Sequence, residues 1–152
     1  MELPTRAGPK PKTTPTNPHT QLDQLAPAVM QDAVAAHMFS LNACVREVPS
    51  RISVPGARAM WLDEKCPCGP RDAFMVGREF AHLHPRYDGS LHAALPPDLA
   101  KAAIEAGWAE VHPVARMGMI PMNIVMIFGP RDEAELAVVK SLVEASFAYA
   151  HG

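Results

Sequence analysis

The sequence lacks any excess of positive charge and any long apolar run. Its 152 residues include 14 Lys and Arg against 16 Asp and Glu, a formal net charge of -2, which argues against a basic nucleic-acid-binding protein. No stretch reaches the roughly 18 to 20 apolar residues of a membrane-spanning helix, and the first residues lack the apolar core of a signal peptide. We therefore expect a cytoplasmic protein that binds neither nucleic acid nor membrane.

Cysteine is scarce as well. There are three cysteines, an odd number, and Cys66 and Cys68 are separated by a single proline. A disulfide framework is typical of even, well-spaced sets, and a structural zinc site needs a second cysteine pair. We expect reduced thiols, with Cys44 on a helix. The sequence also has no phosphate-binding glycine loop.

The hydrophobic fraction of 48% is sufficient for one packed domain. Proline, in contrast, is abundant, with 16 residues in the chain, and it is concentrated near the amino end. We interpret residues 1–20 as a Pro-rich arm, extended or disordered, and residues 21–152 as the domain.

Patterns of apolar residues and of helix and strand breakers predict the elements of this domain. They predict a helix at about 27–46, strands at 51–54 and 57–62, a β-hairpin of 74–84 with 90–95, a helix from 96 to Gly107, a strand at 123–128 and a helix capped by Asp132. This order predicts a single α+β domain with a largely antiparallel sheet packed against helices.

Alternation along the predicted hairpin concentrates histidines on one face of the sheet. Arg78, Phe80, His82 and His84 share a face of the first strand. If the two strands pair with equal parity, His92 lies beside His82 or His84, with Ser90 on the same face. A slip of one residue would separate His92 from the others.

Three uses of this histidine face remain open. A transition metal could bind His82 and His84, with His92 of the neighbouring strand, or alternatively His112, completing the site. Alternatively, a histidine could transfer a proton while Arg78 holds a substrate oxyanion. In the third interpretation the histidines are half-buried residues of a sheet, bonded to backbone or water. Either Asp88 or Glu110 could orient a histidine.

Five segments of the chain resemble a known family. They are REFAHLH at 78–84, DGSLH at 88–92, GWAEVHP at 107–113, GPRDE at 129–133 and VEAS at 143–146. In order and spacing they resemble the luciferase domain of bioluminescent fungi and its non-luminous bacterial relatives. The resemblance covers roughly the second half of the chain.

This resemblance implies a function and a set of site residues. Fungal luciferases oxidise a hydroxylated styrylpyrone with molecular oxygen without flavin or haem, so the resemblance implies a flat, enolisable pyrone or phenolic ligand. We expect histidine-assisted oxidation with no cofactor, a transition metal being the alternative; a binding module without chemistry is a further alternative. The expected catalytic residues are His82, His84, His92 and Arg78, and the expected substrate-binding residues are Phe80, Asp88, Ser90, Trp108 and His112.

Overall fold

The structure is a computed structural model that describes residues 2–152. The helices are α1 (Ala28–Phe39), α2 (Pro97–Glu105), α3 (Pro113–Arg116) and α4 (Glu133–His151), and the strands are β1 (Val45–Pro49), β2 (Arg58–Leu62), β3 (Glu79–Leu83), β4 (Leu91–Ala94), β5 (Ala109–Val111) and β6 (Ile124–Ile127). Both the long last helix and the hairpin of β3 and β4 lie where the sequence predicts them.

The strands form a single six-stranded sheet in the order β1-β2-β3-β4-β6-β5. Every pair of neighbouring strands is antiparallel. The prediction of a single α+β domain with a largely antiparallel sheet is therefore confirmed.

The two faces of the sheet are covered differently. Alternate residues of β3, β4 and β6, such as Leu83, Leu91 and Ile127, pack into the hydrophobic core with α1, α2 and α4. The helix α4 begins where Asp132 accepts a hydrogen bond from the Glu135 amide, as expected for an N-cap. The opposite face carries the histidines and is covered by the arm.

Residues 2–20 lie along the sheet rather than away from it. The Arg6 amide donates to the carbonyl of Ala106, at 2.8 Å, and the Trp108 indole donates to the carbonyl of Pro4, at 2.6 Å. Arg6 and His19 are buried. The arm thus forms the second cover of the sheet.

Between α1 and β2 the observed elements differ from those that local patterns predict. The helix predicted to extend to about residue 46 ends at Phe39, and β1 begins at Val45. The strand predicted at 51–54 consists of bends. Val45 pairs with Leu62 of β2, and this long-range pairing outweighs the helical spacing of the apolar residues. In addition, β5 and α3 lie between residues 107 and 123, where the patterns predict no helix or strand.

The prediction of reduced thiols is wrong, because Cys44 and Cys66 form a disulfide. Cys44 does not lie on a helix but just before β1, and Cys66 follows β2. Pairing of these two strands brings the cysteines together, which their spacing in the sequence does not reveal. Cys68 is free and exposed. Disulfides persist mainly in oxidising compartments, and the cytoplasmic location stays a prediction.

None of the helices described between residues 2 and 152 has both the length and the apolar character needed to cross a bilayer.

Candidate functional site

Three histidines meet at the centre of the arm-covered face. His82 of β3 lies directly opposite His92 of β4, which is the register on which the expectation of a shared histidine face depended. His84 follows β3 and is on the same face. Each of the three is 3% or 4% exposed. The ring centroids of His82 and His84 are 5.1 and 4.7 Å from that of His92.

The Nδ1 atoms of His82 and His84, which face away from His92, are hydrogen-bonded to buried acceptors. The Nδ1 atom of His82 is 2.9 Å from Glu79 Oε2. The Nδ1 atom of His84 is 3.0 Å from the Ser90 hydroxyl, with Asp88 Oδ2 2.9 Å away. The Ser90 hydroxyl donates to Asp88 Oδ1 at 2.6 Å, so it accepts from His84. Carboxylates only accept, so the hydrogen-bond network assigns the ring proton to Nδ1 in both histidines.

The arm contributes a fourth histidine, His19. Its Nδ1 atom is 2.8 Å from His92 Nε2, and its Nε2 atom is 2.5 Å from Glu110 Oε2. Glu110 also accepts from the Thr13 hydroxyl at 2.7 Å and pairs with Lys10 at 2.6 Å. Sequence reasoning missed His19, because nothing local connects a histidine in a Pro-rich segment with a sheet more than 70 residues away.

His112 borders the same group from the loop after β5. Its Nδ1 atom accepts a hydrogen bond from the Val114 amide at 3.0 Å, which leaves the ring proton on Nε2. The His112 ring centroid is 4.6 Å from that of His92 and 5.1 Å from that of His19. His112 therefore offers an N–H group to a ligand. We refer to His19, His82, His84, His92 and His112 as the histidine cluster.

The electrostatics of the cluster favour neutral rings beside ionised carboxylates. Burial lowers the pKa of His82 and lowers that of His92 well below its ordinary value, with the neighbouring histidines adding to the effect in His92. Burial and the charges of neighbouring histidines lower the pKa of His112 to about 4. Burial acts to raise the pKa of Asp88, but its contacts with His84 and Ser90 outweigh this and lower it. At neutral pH, His82, His92 and His112 are therefore uncharged.

Contacts with the arm likewise lower the pKa of the Glu110 carboxyl group. Burial acts to raise its pKa, but bonds from His19, Lys10 and Thr13 together lower it to about 2. Glu110 is 5% exposed. An ionised, nearly buried carboxylate thus joins the arm to the sheet.

A β-bulge breaks the alternation that was expected to place Phe80 and Arg78 beside the histidines. Met60 of β2 pairs with Ala81, but its neighbour Trp61 pairs with Glu79, so Phe80 is an extra residue. A bulge of this kind reverses which face the preceding residues point to. Phe80 therefore packs into the helix-facing core, with its ring 6.1 Å from an aromatic ring of α4, and Glu79 takes its place beside His82.

Arg78 and Trp108 also lie outside the cluster. The Arg78 guanidinium donates to the carbonyls of Leu62, Asp63 and Cys66 at 2.8 to 2.9 Å. It therefore fastens the loop that contains the disulfide. Trp108 is buried with its indole N–H on the arm. Of the expected substrate-binding residues, the structure brings His112, Asp88 and Ser90 to the histidine cluster.

The space at the cluster is small, but it adjoins a larger groove. A cavity of about 20 Å³ is bordered by arm residues 17–19, by loop residues 52–54 and by His82, His84, His92 and His112. A groove of about 660 Å³ lies next to it, between arm residues 15–17 and the segment that carries Met117 and Met119. Asn17 borders both spaces. The small cavity is large enough for one water or ion, and the groove for a multi-ring organic molecule.

The buried imidazoles and carboxylates beside an apolar groove make this face of the sheet the candidate functional site. Comparison with known proteins identifies the family. The model of the Luciferase domain matches residues 77–146, a segment that contains His82, His84, His92 and His112. Residues 77–146 are therefore assigned to the luciferase-domain family.

The relatives that match are fungal luciferases. A luciferase of Armillaria gallica is 30% identical over 165 residues, which cover 97% of this chain and 61% of that protein. Luciferases of Armillaria mellea and Neonothopanus nambi are 42% and 39% identical over 74 residues, or 47% of this chain and 28% of each relative. The chain thus spans less than two thirds of the length of these relatives. No solved structure shows a significant match.

Proposed function

We propose that this protein binds a flat, enolisable small molecule, such as a hydroxypyrone or a phenol, and oxidises it with molecular oxygen at the histidine cluster. The observation that carries the proposal is the meeting of uncharged, carboxylate-supported imidazoles with a ligand-sized groove. The similarity to proteins named luciferases supports an oxidative reaction.

The groove beside Asn17 is the proposed substrate site. Its Met117 and Met119 side chains are 71% and 70% exposed, and methionine adapts its shape to flat apolar ligands. A second groove, of about 470 Å³, is lined by residues of α2 and β5 such as Lys101 and Val111, but it shares no lining residue with the histidine cavity. A substrate there would not reach the imidazoles.

In the proposed reaction the O–H bond of the substrate enol breaks and its electron pair forms a ketone C=O bond, while the electron pair of the enol C=C bond forms a carbon–hydroperoxide bond with oxygen. The enol proton leaves, the electron pair of the enolate carbon reduces oxygen to the peroxide level, and the peroxide takes up a proton. The cluster can promote this step in two ways. An imidazole lone pair can accept the proton without a cofactor, or a metal ion held by imidazoles can polarise the enol oxygen. In either case the Nε2–H group of His112 is available to the substrate oxygen.

Oxygen uptake in the presence of hydroxypyrones and phenols tests the proposal. The wild-type protein should consume oxygen with one of these compounds, and the double variant His82→Ala/His84→Ala should not. His37→Ala is the matched control, because His37 lies on α1, away from the cluster, and pairs with Glu144. Equal oxygen uptake by the double variant would overturn the proposal.

A binding module without chemistry is the second candidate, because the cavity at the histidines, about 20 Å³, is too small to admit a multi-ring molecule. This candidate predicts that a pyrone raises the thermal midpoint of the wild-type protein without oxygen uptake or product. A product detected by mass spectrometry would exclude it.

A further inference from the structure

The centre of the histidine cluster contains three ring nitrogens that face one another at short distance. The Nε2 atoms of His82 and His84 are 3.1 and 3.0 Å from Nδ1 of His92. Such contacts are favourable only if something positive lies between the nitrogens or if one of them carries a hydrogen. The positions of the hydrogens therefore decide what the centre can hold.

The outer contacts place the hydrogens away from the centre. The ring proton of His82 is on Nδ1, where Glu79 accepts it, and that of His84 is on Nδ1, where Ser90 accepts it. Both Nε2 atoms consequently point lone pairs at His92. One N–H group on His92 Nδ1 could satisfy only one of the two.

Contacts with the arm determine in the same way which ring nitrogen of His92 carries the hydrogen. His19 donates from Nε2 to Glu110, so its Nδ1 atom has a lone pair and needs a donor. His92 Nε2, at 2.8 Å, is that donor. The remaining nitrogen of His92, Nδ1, then presents a lone pair to the centre, and all three inward nitrogens are acceptors.

We propose that a divalent transition-metal ion binds between His82 Nε2, His84 Nε2 and His92 Nδ1. Neutral imidazoles suit zinc, iron, copper and nickel, whereas calcium and magnesium prefer oxygen ligands. Catalytic sites of this class use three protein ligands and leave a further position open. Here the cavity of about 20 Å³ beside the same three histidines has room for one ligand of the size of water.

The hydrogen-bond acceptors around the three histidines are those expected around a metal centre. Metal-binding histidines usually donate their second N–H to a carboxylate or another acceptor, which fixes the ring. His82 does so to Glu79, His84 to Ser90 beside Asp88, and His92 through His19.

The buried charges match a divalent ion. Glu79 and Asp88 are both 0% exposed, and among residues 2–152 neither carboxyl group forms an ion pair with a lysine or arginine. Buried carboxylates require a partner of opposite charge or a proton. Two such groups, each one imidazole away from the ion, would balance its two positive charges.

A second group of histidines fits a metal less well. His19, His92 and His112 also lie within reach of a common ion. However, Nδ1 of His112 accepts from a backbone amide, so its Nε2 atom carries a proton and has no lone pair for a metal. His112 is therefore assigned as a donor to the substrate or to the metal's fourth ligand.

The metal site follows from the arrangement of the donor atoms. It deepens the proposed function, on which this step rests, because a bound ion favours metal-assisted over cofactor-free oxidation. With the ion bound, the three imidazoles hold the metal and no longer accept a proton. Metal binding is measured without substrate, so its failure is distinguishable from a failure of the oxidation.

The test is metal binding by the full chain, purified without a metal-affinity tag and stripped with a chelator. Titration with Zn²⁺ by calorimetry should give one site per chain, and Co²⁺ should give visible ligand-field absorption. His82→Ala, His84→Ala and His92→Ala should each abolish saturable binding. Glu79→Gln, a substitution of nearly the same size and shape, should weaken the metal affinity by about 10- to 100-fold.

His37→Ala is the control that should bind as the wild type does, and His112→Ala should keep one saturable site. Circular dichroism of each stripped variant separates loss of binding from loss of folding. The assignment is overturned if folded wild-type protein shows no saturable binding, or if His112→Ala loses binding while His84→Ala keeps it. Unchanged affinity in Glu79→Gln would also contradict the proposed support of His82.

Discussion

Replacing Glu110 with glutamine should loosen the arm from the sheet. The Glu110 carboxylate contacts His19, Lys10 and Thr13 of the arm at 2.5, 2.6 and 2.7 Å. An amide has no charge and offers one acceptor oxygen instead of two. The arm should therefore lose its strongest attachment while the side-chain volume stays nearly the same.

The lowered pKa of Glu110 sets the size of the effect. The pKa falls from 4.5 to about 2 in the folded protein, and each pH unit corresponds to about 1.4 kcal/mol. Because Lys10 is 56% exposed, solvent screens its part, and we expect a loss of about 2 to 3 kcal/mol at pH 7. A folded pKa below the unfolded value means that this stability is present above pH 4.5 and is lost as the pH falls toward 2.

The assay is urea unfolding of wild type and Glu110→Gln at a series of pH values. The difference between them should be greatest near pH 7 and should shrink as the wild-type carboxyl group becomes protonated. His112, whose pKa falls from 6.5 to about 4, destabilises both proteins alike as the pH falls through that range, so its effect cancels. The exposed Glu105 provides the control Glu105→Gln. A difference below about 0.5 kcal/mol at pH 7, as for an ordinary surface substitution, or one independent of pH, would refute the reasoning.

Three further predictions concern the fold. Phe80→Ala should lower the free energy of unfolding by about 3 to 5 kcal/mol in urea, because Phe80 is fully buried in the helix-facing core; a loss below about 1 kcal/mol would contradict the bulge. Thiol titration of the unfolded, unreduced protein should find one thiol, that of Cys68, and three after reduction; three thiols before reduction would exclude the disulfide. Asp132→Ala should cost about 1 kcal/mol through loss of the α4 cap, with Asp132→Asn nearly neutral; equal losses in both variants would argue against capping.

The hairpin shows how far local patterns reach. Alternation and turn residues predicted that His82, His84 and His92 share a face, and the structure has that arrangement. The same alternation failed at Phe80 and Arg78, because a bulge depends on how β3 pairs with β2. A bulge is defined by how two strands pair, so the sequence of one strand does not reveal it.

The supporting groups of the cluster were less accessible to sequence reasoning. The sequence offers Asp88 and Glu110 as partners for a histidine but does not distinguish that role from a surface position. Simple alternation predicts the wrong face for Glu79, and His19 lies within the Pro-rich arm. The contact of Glu110 with His19 joins residues 91 positions apart, and Glu79 reaches His82 only because β3 pairs with β2 through a bulge. Sequence patterns of a few residues encode neither contact.

The sequence by itself determined the class of fold, the hairpin that carries the histidines and the cap of the last helix, because each depends on periodicity or on a terminal residue within one segment. Tertiary structure alone decided that the arm adds His19 to the cluster, that Glu79 replaces Phe80 beside His82, and that Cys44 meets Cys66. The physical reason is common to all three: each contact forms only when the sheet assembles, and strand pairing then sets which side chains are buried together.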